Sequence, residues 1–286
     1  MKFWKVQSIG NHFPLVHLDE APGDALPRLA IDLCRERFSV GGDGLLAVGM
    51  EDEALRLRMF NPDGTEDFCG NGLRCAAMHA LRQGWVGSRF TIRHLEREVP
   101  AEIFENGRIA TRIGQASYVP RDVPHTSGEL FDREVWAGMD TGMPLVLYGS
   151  ALTTGSTHTV IPTMELPDDD SFHKISAKIE VDPKFPQRTS VIWRQEVAPM
   201  RLKIRIWERG VGETFGCGTG SSAAAADYLR RRGGGGVVEV ENPGGSVLVR
   251  MDSWSAPITV EGYAQAVYEG EIPLSSAASA SDEPVR

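Results

Sequence analysis

The same sequence pattern occurs twice in this chain, once in each half. In each copy, a run of alternating apolar and polar residues leads through a loop to Cys-Gly-x-Gly and then to an alanine-rich segment. The two cysteines are Cys69 and Cys217. When segments 69–82 and 217–230 are aligned on these cysteines, 7 of 14 positions match. Such internal similarity predicts two copies of one α/β unit.

Hydrophobic periodicity predicts the elements of each copy. Strict alternation over 55–60 and 202–207 predicts strands, and apolar residues at i, i+3, i+4 and i+7 after each cysteine predict one apolar face of an amphipathic helix. Gly84 and Gly233 are expected to end the two helices. Further strands are predicted over 89–95, 98–104 and 108–113, with Asn106-Gly107 as a hairpin turn, and over 237–241, 246–251 and from 258 onward, with 242–245 as a turn.

The boundary between the copies is predicted near Tyr118–Pro124, where two prolines interrupt the pattern. The tail after Ile272 is rich in serine and alanine and carries few apolar residues. This composition predicts a disordered tail, because such a segment buries too little apolar surface to offset its conformational entropy.

Composition restricts the kinds of partner that the chain can have. Of its 286 residues, 41% are hydrophobic and 24% are charged, the formal net charge is −9, and no apolar run is long enough to span a membrane. A net negative charge argues against a nucleic-acid partner, which needs a basic face. The first residues turn polar too soon for a signal-peptide core. We therefore expect a cytoplasmic protein with no nucleic-acid and no membrane partner.

The four cysteines lack the spacing of a zinc or thioredoxin-type centre. Cys34, Cys69, Cys75 and Cys217 form no C-x-x-C pair, so we expect free thiols in a reducing compartment. Cys34 and Cys75 are interpreted as small buried hydrophobic residues. A redox or metal centre built on Cys69 and Cys75 is poorly supported, because six residues of helix do not bring two side chains onto one face.

Cys69 and Cys217 each stand at a predicted helix N-terminus. The first N–H groups of a helix have no partner within the helix, and with the helix dipole they form an anion site. The same field is expected to lower the thiol pKa toward neutrality. If the two copies face each other, one substrate carboxylate lies between the helix ends and one cysteine approaches each face of the adjacent Cα. One thiolate then removes a proton and the other thiol delivers one, which inverts the centre.

Longer motifs surround the cysteines and the start of the chain. They are Phe60-Asn61-Pro-Asp-Gly-Thr-Glu66 before Cys69-Gly-Asn-Gly-x-Arg-Cys75, Glu208-Arg209-Gly-x-Gly-Glu-Thr214 before Cys217-Gly-Thr-Gly220, Gly10-Asn11-x-Phe13, and Gly41-Gly-Asp43-Gly44. With these motifs the chain resembles the diaminopimelate epimerase family over nearly its whole length.

The resemblance implies an α/β (α+β) fold of two pseudo-symmetric domains, each a central helix wrapped by mostly antiparallel strands, with the active site in the interdomain cleft. It implies that residues 1–118 with about 263–286 form one domain and residues 119–262 the other. It also implies a homodimer, a small amino-acid substrate, no pyridoxal phosphate and no metal. The implied activity is epimerisation of LL- to meso-diaminopimelate, in lysine and peptidoglycan precursor synthesis.

Site residues are carried over position by position from the resemblance. Cys69 and Cys217 match the two bases, with His158 and Glu208 as further catalytic residues. The implied substrate-binding residues are Asn11, Asn61, Gly70, Asn71, Ser156, Ser190, Arg209, Gly218 and Thr219. Within this set, Ser156 and Ser190 stand where the family pattern has asparagines that read the distal end of the substrate. Serine has a shorter reach and fewer hydrogen-bonding groups than asparagine.

Three functions are compatible with these patterns. The first is diaminopimelate epimerase, favoured by Asn61, Glu208 and Arg209. The second is an epimerase or racemase of another amino acid, such as histidine or a proline derivative, which the two serines favour. The third is a small-molecule binding or scaffold protein on the same fold, in which neither cysteine acts in catalysis.

Overall fold

Four helices and seventeen strands form from residues 1–126 and 128–273, the part of the chain that the computed structural model describes. The predicted fold class, mixed α and β with strands predominating, is confirmed. From residue 274 on, the tail that is predicted to be disordered lies outside the described residues.

The first half of the chain contains two helices and seven strands. In chain order they are β1 (Lys2–Ser8), β2 (Asn11–His17), α1 (Leu26–Leu33), β3 (Leu45–Glu51), β4 (Ala54–Phe60), α2 (Gly70–Arg82), β5 (Arg89–His94), β6 (Arg97–Ile103) and β7 (Ile109–Gln115).

The second half repeats this order with three added strands: a hairpin strand at its start, a short strand before its last helix and one strand at its end. Its elements are β8 (Arg133–Asp140), β9 (Met143–Thr153), β10 (Thr157–Thr163), α3 (Asp169–Glu180), β11 (Ser190–Ala198), β12 (Arg201–Glu208), β13 (Gly212–Thr214), α4 (Gly218–Arg232), β14 (Gly236–Asn242), β15 (Gly245–Met251), β16 (Pro257–Gly262) and β17 (Gln265–Glu271). The eight predicted strands are all present, with bounds within two residues of the prediction.

Strand pairing shows the duplication more fully than the sequence does. In the first half, β2 pairs parallel with β3 across α1, and β4 pairs parallel with β5 across α2. In the second half, β10 pairs parallel with β11 across α3, and β12 pairs parallel with β14 across α4. A parallel pair needs a crossover connection, and in each half a helix supplies it twice. The other strand pairs are antiparallel.

Helices α2 and α4 are buried on nearly all sides, which differs from the predicted single apolar face. All four alanines from Ala223 to Ala226 have no exposed surface, and in α2 the polar Asn71 and Arg74 are buried too. By contrast Leu81, predicted on the apolar face, is 41% exposed. The strands of each half close around its central helix, so the helix needs small residues all round rather than one apolar stripe.

The two halves meet along a strand seam and at one loop. Strand β16 pairs antiparallel with β7, which joins strands of the two halves. At the loop, a Cβ on Gly216 would lie 2.3 Å and a Cβ on Gly244 2.2 Å from the carbonyl oxygen of Ile9, so only glycine fits there. Strand β17 returns to pair with β1. The division into residues 1–118 with 263–286 and residues 119–262 stays a prediction.

None of the helices within residues 1–126 and 128–273 has the length and apolar content that crossing a bilayer requires.

The end of α4 provides a test of the backbone geometry. Gly233 caps the helix in the left-handed conformation, with φ of 68°, as predicted, whereas Gly234 has space for a side chain and is not among the positive-φ glycines. Gly233→Ala is expected to lower the free energy of unfolding by about 1–2 kcal/mol, because an L-residue is strained there. Gly234→Ala, the matched control, is expected to leave it unchanged or raise it by about 0.4–1 kcal/mol. Urea unfolding of both variants measures the difference, and equal stabilities would contradict the capping role.

Candidate functional site

Cys69 and Cys217 occupy equivalent positions at the N-termini of α2 and α4. Each is the N-cap residue, with φ, ψ of −133°, 109° and −134°, 118° respectively. Each sulfur accepts a hydrogen bond from the backbone N–H three residues on, Gly72 N–H or Gly220 N–H, at 3.3 Å. The two thiols thus sit in matched local environments, as the repeat predicts.

The N-termini of the two helices lie against each other. A Cβ built on Gly70 would lie 3.9 Å from the Cα of Gly218, and a Cβ built on Gly218 would lie 3.8 Å from the Cα of Gly70. Backbone atoms of the two Cys-Gly-x-Gly motifs are therefore nearly in contact across the boundary between the halves. Free N–H groups from both helices converge on this region, which makes it an anion site with contributions from both copies.

One carboxylate, Glu208, interacts with both thiols. It accepts a hydrogen bond from the Thr214 hydroxyl at 2.5 Å, and its charge raises the pKa of the Cys217 thiol. Its charge also acts on Cys69. Burial raises the pKa of Glu208 above the ordinary value for glutamate. Both sulfurs therefore lie within the electrostatic reach of one carboxylate.

The expectation that helix N-termini lower the thiol pKa is wrong for the ligand-free protein. Burial raises the pKa of the half-buried Cys69 thiol to about 11, and burial also raises the pKa of the buried Cys217 thiol. The hydrogen bonds from Gly72 and Gly220 oppose these shifts but are outweighed. In an environment with little water, the loss of thiolate solvation exceeds the gain from the helix ends.

Asn11 and Asn71 link the two halves beside the helix ends. The buried Asn71 amide donates to the Asn11 side-chain oxygen and, at 3.1 Å, to the carbonyl oxygen of Gly216 in the other half. Asn11 in turn donates to Asp43 at 3.2 Å. Two of the predicted substrate-binding residues therefore form a network that spans the boundary.

His158 and Ser156 lie on the second-half side of the site. The Ser156 hydroxyl is 3.0 Å from Nε2 of His158 and 3.5 Å from the hydroxyl of Thr219, which is itself 3.2 Å from the Cys217 sulfur. His158 is 1% exposed, and burial followed by the nearby Arg209 charge lowers its pKa to about 3. Its imidazole is therefore neutral at physiological pH. Within the described residues, its Nδ1 atom has no hydrogen-bond partner.

The remaining predicted side chains, those of Asn61, Ser190 and Arg209, hydrogen-bond to other groups of the protein. The Ser190 hydroxyl accepts from the backbone N–H of Arg209 at 3.1 Å, and the exposed Arg209 guanidinium donates to the carbonyl of Gln187 at 3.0 Å. Asn61 donates to the Thr65 hydroxyl at 3.0 Å. Ser156 and Ser190 are the serines that depart from the family pattern. The hydroxyl of each therefore already hydrogen-bonds to another group of the protein.

Sequence reasoning assigned no role to two buried residues beside Cys69. His94 accepts the backbone N–H of Cys69 through Nε2 at 3.3 Å and donates through Nδ1 to the carbonyl of Leu57 at 3.2 Å. Arg74, in the second turn of α2, is completely buried. Arg74 belongs to the Cys-Gly-Asn-Gly-x-Arg motif of the sequence, and this motif could have identified it as a site residue. No pattern marked His94, because strand pairing alone brings it to the cysteine.

The described residues contain no group of three or more His, Cys, Asp or Glu side chains placed to hold a metal ion. Cys34 and Cys75 are buried in apolar clusters, as predicted, and all four cysteines are free thiols.

The family model and the similar sequences agree on one protein family. A family model described as Diaminopimelate epimerase matches residues 3–119 and 150–266. The chain is 32% identical over 284 residues to a diaminopimelate epimerase from Desulforudis audaxviator (strain MP104C), with 95% of this chain and 99% of the relative covered. It is 33% identical over 285 residues to a diaminopimelate epimerase from Moorella thermoacetica (strain ATCC 39073 / JCM 9320), with 96% and 100% covered. Residues 120–149, between the matched parts, hold β8 and the start of β9.

Solved structures of lower identity share the fold. A phenazine biosynthesis protein of the PhzF family from Bacillus anthracis aligns with a TM-score of 0.65 at 19% identity, covering 96% of this chain and 99% of that chain. A hydroxyproline epimerase from Agrobacterium vitis, solved with bound trans-4-OH-L-proline, aligns with a TM-score of 0.66 at 13% identity, covering 95% and 90%. At these identities the likeness shows the fold alone.

The raised thiol pKa values predict how the cysteines react with iodoacetamide. Only the thiolate reacts, so labelling of Cys69 in the ligand-free protein is expected to be slow at pH 7 and to rise steeply toward pH 11. Cys69 is expected to react before the more buried Cys217, while Cys34 and Cys75 serve as internal controls that stay unlabelled until the protein unfolds. Mass spectrometry after timed labelling measures each site. Rapid labelling of Cys217 at neutral pH would contradict the predicted order.

Three buried histidines predict a loss of stability in acid. Burial lowers the pKa of His79 and His94 to about 4 and that of His158 to about 3, below the ordinary value of 6.5. Below pH 6.5 the unfolded chain binds protons that the folded chain does not, so stability falls as pH drops, by up to about 1.4 kcal/mol per pH unit for each group. Urea unfolding at pH 7 and pH 5 measures this loss. His79→Gln is expected to reduce the pH dependence, and an identical slope in the variant would argue against its contribution.

Proposed function

Because the chain belongs to the diaminopimelate epimerase family, we propose that it interconverts LL- and meso-diaminopimelate by inverting one Cα centre, a step in the synthesis of lysine and peptidoglycan precursors. The observation that carries this proposal is the pair of N-cap cysteines on two helices whose first residues, Gly70 and Gly218, lie against each other. Few other chemistries need two matched thiols facing one region.

The proposed anion site holds the carboxylate attached to the reacting carbon. Backbone N–H groups of Gly70 and Asn71 from α2, and of Gly218 and Thr219 from α4, are among the helix N–H groups that lack a partner within their helix. A carboxylate bound there is favoured by both helix dipoles. It also places the adjacent Cα between Cys69 on one face and Cys217 on the other.

The reaction we propose is a two-base proton exchange. The thiolate of one cysteine takes the Cα proton, and the electrons of the broken C–H bond move into the carboxylate, whose growing negative charge is stabilised by the helix N–H groups. The thiol of the other cysteine gives its proton to the opposite face of Cα. The two cysteines end with their protonation states exchanged, so the reverse reaction uses the same groups in opposite roles.

Glu208 and His158 are proposed to handle protons on the Cys217 side. Glu208 lies within electrostatic reach of the Cys217 thiol, and its raised pKa makes it a better proton acceptor than an ordinary carboxylate. His158 is neutral and lies two hydroxyl groups away from the same sulfur, through Ser156 and Thr219. Both residues are therefore suited to exchange a proton with that cysteine when substrate is bound.

The distal part of the substrate is proposed to contact Asn11, Asn61, Ser156, Ser190 and Arg209. Arg209 is exposed and carries a charge that can pair with a second carboxylate. The two serine hydroxyls, already engaged by His158 and Arg209, offer less to a distal ammonium group than asparagine side chains would. This observation favours the second candidate function, an epimerase or racemase of another amino acid.

We also propose that the protein acts as a homodimer in the cytoplasm. The homodimer rests on the family resemblance, and the cytoplasmic location is supported by the four free thiols, which persist in a reducing compartment. Light scattering during gel filtration tests the dimer.

Removal of either thiol is expected to abolish epimerisation. Cys69→Ser and Cys217→Ser should each lower kcat/KM for LL-diaminopimelate by about 10²–10⁴-fold, because a hydroxyl is a far weaker base than a thiolate. Cys34→Ala, which removes a buried thiol from a separate apolar cluster, should keep full activity. NMR in D2O measures product formation and solvent deuterium at Cα. Equal activity in all three variants and the wild type would exclude the two-base mechanism, and no activity in any of them would favour a binding protein.

A substrate panel separates the two candidate substrates. The wild-type protein is expected to exchange the Cα hydrogen of LL-diaminopimelate at least about tenfold faster than that of histidine, proline or hydroxyproline, a difference of about 1.4 kcal/mol. Ser156→Asn with Ser190→Asn is expected to lower KM for diaminopimelate. Faster exchange with one of the other amino acids, and no improvement in the double variant, would assign the chain to that substrate instead.

A further inference from the structure

Arg74 is a buried cation that has no carboxylate partner among the residues that the structure describes. It lies in the second turn of α2 with no exposed surface. Its Nε donates to the Ser8 hydroxyl at 3.0 Å, and its Nη2 donates to the side-chain oxygen of Asn71. Its Nη1 has no hydrogen-bond partner among residues 1–126 and 128–273. That atom would lie 3.9 Å from a Cβ on Gly218, at the start of α4.

This arrangement is unusual, because a buried charge normally has a partner of opposite sign. The free-energy cost of removing an ion from water is several kcal/mol, and protein sites usually offset it with a counter-charge. The other buried arginine follows that rule, since Arg194 pairs with the buried Asp227 at 2.8 Å. Arginine stays protonated even when buried. The N–H groups on Nη1 of Arg74 are therefore available to an anion that enters beside the two helix ends.

The titratable groups within electrostatic reach of Arg74 identify that anion. They are the thiols of Cys69, the N-cap of α2, of Cys75 in the same helix, and of Cys217, the N-cap of α4. The carboxylate of Glu208, at the end of β12, acts on Cys69 and Cys217. All three thiols have raised pKa values, so they are neutral at rest. Negative charge near Arg74 must then arise when a thiol ionises or a substrate carboxylate enters.

The second copy of the repeat has no charged residue at the position equivalent to Arg74. Position 74 corresponds to Ser222 in the second copy, where the hydroxyl donates to the carbonyl of Gly218 at 2.8 Å. Of these two equivalent positions, the one in α2 therefore carries a cation and the one in α4 does not. The guanidinium of Arg74 lies beside a region to which both copies contribute residues.

We propose that Arg74 is a positioning residue whose fixed positive charge stabilises the anionic reacting state between the two helix N-termini, the Cys69 thiolate together with the substrate carboxylate. The proposal rests on the function proposed above. The guanidinium acts through space on the thiolate and holds Asn71, whose backbone N–H contributes to the anion site. Two helix ends and one arginine then balance the two negative charges of the reacting complex.

Neutral variants of Arg74 test the proposal without requiring turnover. In Arg74→Met and Arg74→Gln, the pH at which iodoacetamide labels Cys69 at half its maximal rate is expected to rise by about one unit or more, because the thiolate loses a nearby cation. Arg74→Lys keeps the charge and is expected to lie between these variants and the wild type. Arg194→Met, the matched control, removes a buried arginine elsewhere and should leave the labelling midpoint unchanged. Circular dichroism and urea unfolding confirm that each protein is folded.

Kinetics with diaminopimelate provide the second readout. Arg74→Met and Arg74→Gln are expected to lose at least about 100-fold in kcat/KM, with partial recovery in Arg74→Lys, whereas Arg194→Met should lose stability without that loss. A folded neutral variant with the wild-type labelling midpoint would overturn the proposal. A shifted midpoint in a protein whose wild type does not turn over diaminopimelate would instead overturn the proposed substrate and leave the role of Arg74 intact.

Discussion

The close contact between the N-termini of α2 and α4 is the constraint on which the site depends. Two positive helix ends repel each other, so the contact at Gly70 and Gly218 must be held by the rest of the fold. The β7–β16 seam and the Asn71 hydrogen bond to Gly216 supply that restraint. The repulsion that remains is relieved when an anion binds, which couples the stability of the closed site to carboxylate binding.

Burial determines the chemistry of the thiols more than the helix dipole does. Both cysteines receive hydrogen bonds from helix N–H groups, yet burial raises the pKa of each. The outcome is a pair of neutral thiols at rest, which protects them from oxidation and from stray electrophiles. Ionisation then requires a change in the local charge, and Arg74, Glu208 and an entering carboxylate are the groups that can provide it.

Much of the fold and part of the site could be predicted from the repeat. Alternation and helical spacing located the strands around each cysteine and the helix end at Gly233, because those patterns are local. The prediction of one apolar face per helix was wrong, because whether a helix is covered on one side or on all sides depends on strands distant in sequence. For the same reason no pattern indicated that His94 would accept the N–H of Cys69.

By itself, the sequence determined the duplication, the two N-cap cysteines and the glycines that keep the helix ends free, since each follows from residue type and short-range spacing. Tertiary structure alone decided that the two helix ends meet, that the thiols are neutral, and that Arg74 is buried beside Gly218 without a carboxylate partner in the described part of the chain. Those properties depend on dielectric environment and on distances between residues about 150 positions apart in the chain, and both are set only when the strands close around the helices.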